Sequence, residues 1–389
     1  MRSVGVCSLG VVWLAVACGG RAERHDESST VGAAGTTVEL GGATGVTTGG
    51  TSGAAGGSAG ASNAGASNAG AASGGAASTS DCAFGAVAGP ATPPFATPGT
   101  VLGRIAQFVI AQPFGGAILP SETTPEWAGA QIISLLDAEA GEERAGAGME
   151  DFLQRWVGLA GSTPADLHLL SAPWASLSGM KSATLADLIA TSSSEDPHRI
   201  GIFTDPAFLT QKPFATARGA ALQAALFCRQ VPPPPPNVPP VAPASEGGTY
   251  RERLSNATAS PVCASCHYST DPLGFSLEHY DSMGADRDLD NGEPIDSSGT
   301  VQSPGGSTFA FASIEQSLAV DLGQSCEVAR CFAESELEYA LRVNGLIGPD
   351  ETLPADSLEL NAVAQEFTDS GRSLRALAKA IAESSLFLK

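Results

Sequence analysis

The chain has 389 residues, of which 41 are acidic and 20 are basic, so its formal net charge is −21. A nucleic-acid-binding protein presents a basic face to the phosphate backbone, and this charge balance argues against one. The acidic excess has two interpretations: it keeps the protein soluble, or it steers the protein toward a basic partner. At roughly 100–200 residues per domain, the non-repetitive part of the chain has room for two or three small domains.

The first residues are typical of an export signal. Arg2 is followed by an apolar run over residues 4–17, which is too short to span a membrane. Small residues at the end of this run precede Cys18, and this pattern resembles a bacterial lipobox, in which the cysteine is lipidated. Residues 1–18 are therefore predicted to be a lipoprotein-type signal peptide with Cys18 as the lipid anchor. The alternatives are an ordinary cleaved signal peptide and the absence of a signal.

A long low-complexity segment follows the signal. Residues 27–80 are almost entirely Gly, Ala, Ser, Thr and Asn, and no aromatic residue lies between Trp13 and Phe84. Such a composition cannot bury enough apolar surface to offset the entropy lost on ordering. Residues 19–81 are therefore predicted to be a disordered linker.

Helical spacing of apolar residues begins after this linker. Five apolar residues within 101–109 form one stripe, and Thr124 followed by proline is a helix start. Residues 82–230 are therefore predicted to form an all-α domain of about five helices. An unbroken run of five prolines then favours a stiff, extended spacer over residues 231–246.

The motif with the clearest chemistry is Cys-Ala-Ser-Cys-His, from Cys263 to His267. C-x-x-C-H is the attachment pattern of c-type haem. The thiols of Cys263 and Cys266 would add to the two vinyl groups of the porphyrin, and His267 would become the proximal iron ligand. Two alternatives stay open, namely a disulfide or stray thiols at these cysteines, and a zinc site that they share with Cys326 and Cys331.

The residues around this motif resemble a known family. They are similar to the cytochrome-c-like domains of unknown function that occur in series in secreted planctomycete and myxobacterial proteins. The resemblance covers roughly residues 199–389 and implies a secreted protein with one covalent haem c, without implying a particular reaction. The strings that carry it are Arg-Glu-Arg-Leu at 251–254, C-x-x-C-H at 263–267, Asp-Pro-Leu-Gly-Phe at 271–275, Glu278 with Tyr280-Asp281, and Ile-Asp-Ser-Ser-Gly at 295–299.

The resemblance also draws attention to the sixth iron ligand. Relatives carry a His shortly before the first Cys and a Met before the Asp-Pro, where this chain has Thr270. The nearby candidates here are His279 and Met283. Otherwise the iron would be five-coordinate, or a distant group such as Met149 or Met180 would bind it.

Four further cysteines suit an oxidising compartment, in which disulfides persist. The simplest of the three pairings joins Cys326 to Cys331 and Cys82 to Cys228, provided that Cys326 precedes a helix. Free structural thiols are the alternative.

The rest of the chain is divided into a cytochrome-c-like haem segment at 247–305 and a C-terminal helical domain at 306–389. The acidic cluster at 286–296 lacks the glycine position and the final Glu of a calcium loop and is interpreted as a polar turn. Glu336, Glu338 and Arg342 are interpreted as the solvated face of a helix.

Together these features predict a mostly α protein, lipid-anchored in the bacterial cell envelope at the periplasm, outer membrane or cell surface. The predicted function is electron transfer through one haem c to a redox partner protein, which the acidic charge favours as basic. This favours an electron carrier or accessory domain over a stand-alone enzyme, and the sequence nominates no catalytic residue. The alternatives are a peroxidase-like haem enzyme and a non-haem structural or binding protein of the envelope.

Overall fold

The computed structural model describes residues 82–112, 119–137, 147–159, 183–191, 199–233 and 247–389. The predicted signal peptide with Cys18, the predicted linker and Met180 lie outside the described residues. Among the described helices, none combines the length and the apolar character needed to cross a membrane.

The described chain is mostly α-helical, which confirms the predicted fold class. It forms thirteen α-helices. They are α1 Pro98–Ile110, α2 Pro125–Asp137, α3 Ala147–Trp156, α4 Leu185–Ala190, α5 Pro206–Gln211, α6 Ala215–Phe227, α7 Tyr250–Ala257, α8 Pro261–Phe275, α9 Ala319–Gln324, α10 Cys326–Val343, α11 Leu358–Asp369, α12 Leu374–Glu383 and α13 Ser385–Leu388. A 3₁₀ turn at Ile202–Thr204 and a π-helical turn at Ile314–Leu318 complete the helical part.

Side-chain caps fix where the first helices begin. The Thr97 hydroxyl accepts a hydrogen bond from the backbone N–H of Thr100, and Pro98 occupies the first turn of α1. The predicted start of α2 is confirmed, since the Thr124 hydroxyl accepts from the N–H of Trp127 at 3.2 Å. The apolar stripe predicted within 101–109 is buried in the core.

Two short antiparallel hairpins follow α8, where the sequence analysis predicted no strands. Strands β1 Leu289–Asp290 and β2 Glu293–Pro294 are joined by Asn291 and Gly292, both at positive φ. This two-residue Asn-Gly loop is the expected chemistry of a tight hairpin, so the acidic cluster is a polar turn as predicted. Strand β3 Gly299–Gln302 pairs with β4 Thr308–Phe311 in a register that places Gly299 opposite Phe311.

Helices from both ends of the described chain share one hydrophobic core. Helix α2 packs against α12, and α1 and α3 both pack against α10. Aromatic side chains join these helices, with the Trp156 and Phe332 rings in edge-to-face contact at 4.8 Å and the Phe152 and Phe332 rings at 5.5 Å. The segments before residue 230 and after residue 306 therefore bury their apolar faces against each other.

The predicted solvated face of α10 is wrong for two of its three residues. Glu336 is fully buried, and Glu338 is 7% exposed. Helices α6, α11, α1 and α3 all pack against α10, so side chains on several of its faces are covered. Arg342 remains partly exposed and forms an ion pair of 2.6 Å with Glu338.

The predicted disulfide pairing is also wrong. The structure joins Cys82 to Cys326 and Cys228 to Cys331, with Cα–Cα distances of 5.5 and 5.4 Å. Cys326 and Cys331 both lie in α10, and five residues along a helix rise about 7.5 Å, beyond the span of a disulfide. Each of these cysteines therefore pairs with a residue outside the helix.

Peptide mapping under non-reducing conditions checks this pairing. We expect one linked peptide pair that contains Cys82 with Cys326 and another that contains Cys228 with Cys331. The double variant Cys263→Ala, Cys266→Ala is the matched control and should retain both links, because neither residue takes part in them. A linked Cys82–Cys228 pair would contradict the structure.

Candidate functional site

The C-x-x-C-H motif occupies the first half of α8. The Ser260 hydroxyl caps the helix by accepting from the backbone N–H of Cys263, and Pro261 stands in the first turn. Cys263 and Cys266 are free thiols; Cys266 is exposed and Cys263 partly buried. Residues three and four apart on a helix are neighbours on its surface, so Cys266 and His267 both lie beside Cys263.

A buried carboxylate holds the His267 ring. Nδ1 of His267 lies 2.9 and 3.0 Å from the two carboxylate oxygens of Asp271, one helical turn further on. The Asp271 side chain is 7% exposed. Facing an ionised carboxylate, Nδ1 carries the proton and donates it, which leaves the lone pair on Nε2 free to bind a metal.

Asp271 has a second partner on the neighbouring helix. The hydroxyl of Thr216, in α6, donates to Asp271 at 2.8 Å. Burial raises the pKa of Asp271, and the hydrogen bonds from Thr216 and His267 oppose this rise. Asp271 entered the prediction only as part of the Asp-Pro string. Its spacing of four residues from His267 on one helix is the sequence signal that pairs the two side chains.

Two glycines seat α8 directly on α6. A Cβ atom at Gly219 would lie 1.9 Å from the Thr270 carbonyl oxygen, and one at Gly274 would lie 1.8 Å from the Ala215 carbonyl oxygen. Only residues without a side chain allow the backbones to approach so closely. This contact fixes Thr216 opposite Asp271 and thereby the orientation of the His267 ring.

The stretch of chain that contains the motif has no acidic residue, lysine or arginine. Residues 255–270 contain no Asp, Glu, Lys or Arg, although the chain as a whole carries −21. Within this stretch Val262 is 78% exposed and Tyr268 is 81% exposed. Large exposed apolar side chains beside two free thiols form a surface suited to an apolar ligand.

The predicted sixth ligands lie beyond the other end of α8. The Cα atoms of His267 and Phe275, the last residue of α8, are about 12 Å apart. His279 and Met283 follow this end: Nδ1 of His279 lies 3.1 Å from the Arg287 carbonyl oxygen, and Met283 is largely exposed. Met149 is buried in the helical core. Within the described residues, His267 forms no hydrogen bond or ion pair with either His279 or Met283.

The alternative zinc site cannot include Cys326 and Cys331, the further ligands considered for it from the sequence. The sulfur atoms of Cys326 and Cys331 are both bound in disulfides, so neither can join Cys263 and Cys266 as a thiolate ligand. In the part of the chain that the structure describes, no cluster of three or more His, Cys, Asp or Glu side chains is arranged to hold a metal ion.

Comparison with protein families supports the resemblance for the segment that contains this site. Residues 199–290 match the family model described as PSCyt3, a protein of unknown function (DUF1588). The matched segment spans α5 to β1 and includes Thr216, both free cysteines, His267 and Asp271. No curated protein and no solved structure matches the chain.

Proposed function

We propose that residues 261–271 attach one haem c covalently and that the protein transfers electrons through it. The observation that carries this proposal is the pair of free thiols on one helical turn beside a histidine whose Nδ1 is held by a buried carboxylate. This donor set fits the requirements of a covalent c-type site, namely two thiols for the porphyrin edge and a free imidazole nitrogen for the iron.

The attachment chemistry assigns a role to each residue of the motif. Cys263 and Cys266 would hold the porphyrin through thioether bonds, each S–H adding across one vinyl double bond so that sulfur bonds to one carbon and the hydrogen goes to its neighbour. No oxidant is consumed in this addition. His267 would hold the iron through Nε2, and the exposed apolar side chains of Val262 and Tyr268 lie on the same helix. When bound, haem supplies an iron centre that changes by one electron.

The proposal extends to where the protein works and what it contacts. We propose that Cys18 carries a lipid that anchors the chain in the cell envelope, and that the folded part exchanges electrons with a basic redox partner. The net charge of −21 supports a basic redox partner, because attraction between opposite charges accelerates association at low ionic strength.

Haem attachment is tested by exporting the protein in a host that matures c-type cytochromes. We expect a c-type absorption band that survives denaturation in the wild type and disappears in Cys263→Ala, Cys266→Ala. Ser265→Ala is the matched control, since its hydroxyl donates to the Val262 carbonyl at 2.8 Å and to the Cys266 sulfur at 4.0 Å, and a thioether bond needs neither contact. Wild-type protein without covalent haem would contradict the proposal and leave a dithiol or disulfide at this site.

Electron transfer is tested separately on the haem-loaded protein. We expect a reversible one-electron couple and little turnover with peroxide. A high-spin spectrum with rapid peroxide turnover would instead favour the peroxidase-like alternative.

A further inference from the structure

We propose that Asp271 is a positioning residue that gives the His267 imidazole anionic character, and that it thereby sets a low reduction potential at the site. This inference rests on the proposed function. It concerns which redox partners the site can serve, namely donors and acceptors that work at low potential.

The first step is the geometry of the pair. Both oxygens of Asp271 lie within 3.0 Å of Nδ1 of His267. The N–H at Nδ1 can therefore donate a hydrogen bond to either oxygen of the carboxylate. The two residues lie four apart on α8, and the close seating of α8 on α6 prevents the carboxylate from turning away. The imidazole is therefore held with Nε2 directed away from Asp271.

The second step is the charge balance around Asp271. Its partners in the described residues are the Thr216 hydroxyl and the His267 ring, and no Lys or Arg in those residues forms an ion pair with it. Burial alone disfavours the charged carboxylate, and the hydrogen bonds from Thr216 and His267 favour it. The hydrogen bond to Nδ1 passes part of the negative charge to the imidazole.

The negative charge of Asp271 would affect the reduction potential of a metal bound at Nε2 of His267. The oxidised iron carries one more positive charge than the reduced iron, so a more basic ligand and a nearby negative charge favour the oxidised state. Outer-shell partners of metal-bound histidines commonly change metal affinity 10- to 100-fold. If the carboxylate favours the oxidised state tenfold, the potential falls by about 59 mV for one electron.

The test compares variants that weaken the negative charge with one that keeps the hydrogen bond. Asp271→Asn removes the charge and should raise the midpoint potential of the haem-loaded protein, by about 59 mV for each tenfold loss in the preference for the oxidised state. Thr216→Val removes a hydrogen bond that favours the charged carboxylate and should also raise the potential, whereas Thr216→Ser keeps the hydroxyl and should leave it unchanged. No shift in Asp271→Asn, or a lower potential in either Asp271→Asn or Thr216→Val, would overturn the inference.

Two further readouts separate this inference from the proposed function. Covalent haem content, measured after denaturation, shows whether attachment itself has failed. In the cofactor-free protein, ¹⁵N NMR of His267 should show the Nδ1-protonated tautomer in the wild type and a smaller share of it in Asp271→Ala, which has no acceptor at this position. An Nε2-protonated ring in the wild type would overturn the inference whether or not haem is attached.

Discussion

Replacing Arg218 with alanine is expected to lower the free energy of unfolding by about 3–5 kcal/mol, because a buried cation and its hydrogen bonds are lost together. Arg218 lies in α6 and is 1% exposed. Its guanidinium connects α6 to the chain that follows α8, through hydrogen bonds to backbone carbonyls between Leu277 and Asp281.

Four backbone carbonyls accept hydrogen bonds from this one side chain. Nε donates to the Lys212 carbonyl at 2.9 Å, and Nη1 donates to those of Leu277 and Tyr280 at 2.9 and 2.7 Å. Nη2 donates to the carbonyl of Asp281 at 2.6 Å. Burial lowers the pKa of Arg218, and the carbonyl dipoles compensate a charge that water cannot reach.

The measurement is denaturant unfolding of the full chain with its disulfides intact. Arg218→Lys should lose part of the stability, because one ammonium cannot reach carbonyls that a planar fork spans. Arg229→Ala is the matched control: Arg229 lies just after the same helix and is exposed, so its removal should change stability by less than about 0.5 kcal/mol. A loss in Arg218→Ala as small as in this control would contradict the assigned role.

The helices of this protein could be predicted from sequence because their signals are local. The stripe within 101–109 and the Thr124 cap each occupy a few consecutive residues, and each marks a helix in the structure. The attachment motif is equally local, and the structure leaves both of its cysteines as free thiols.

The remaining features depend on residues far apart in sequence. The partners of Cys326 and Cys331 are 244 and 103 residues away, so no spacing rule within the C-terminal segment could find them. Thr216 meets Asp271 only because α6 and α8 touch at two glycines. Neighbouring residues in the sequence therefore predict neither the disulfide partners nor the contact between Thr216 and Asp271.

Burial of charge was the least predictable property. A helix that other helices cover on several sides has no solvated face. The charged residues of such a helix lie in the core, although their sequence pattern is the same as that of residues on a solvent-exposed helix face. Glu336 is the extreme case: it is fully buried, and neither carboxylate oxygen has a hydrogen-bond partner among the described residues.

Replacing Glu336 with methionine is therefore expected to stabilise the protein at pH 8 by about 1–4 kcal/mol, because burying a carboxyl without a hydrogen-bond partner costs free energy that an apolar side chain of similar volume does not. Burial raises the pKa of Glu336 well above its ordinary value of 4.5. Below pH 4.5 the carboxyl is protonated in both the folded and the unfolded chain. As the pH rises above 4.5 the unfolded chain releases this proton while the folded chain retains it, so stability falls until the folded pKa is reached.

Unfolding free energies of wild type, Glu336→Met and Glu336→Gln at several pH values between 4 and 8 test this sign. The advantage of each variant over the wild type should grow with pH, because only the wild type must bury an ionisable carboxyl. Glu366→Gln is the matched control, since Glu366 lies on the neighbouring α11 with an exposed side chain and only a 3.6 Å contact to Lys379. It removes the same charge, and its difference from wild type should stay within about 0.5 kcal/mol across the range. A difference between Glu336→Gln and wild type that does not vary with pH would show that the carboxyl ionises alike in the folded and unfolded chains.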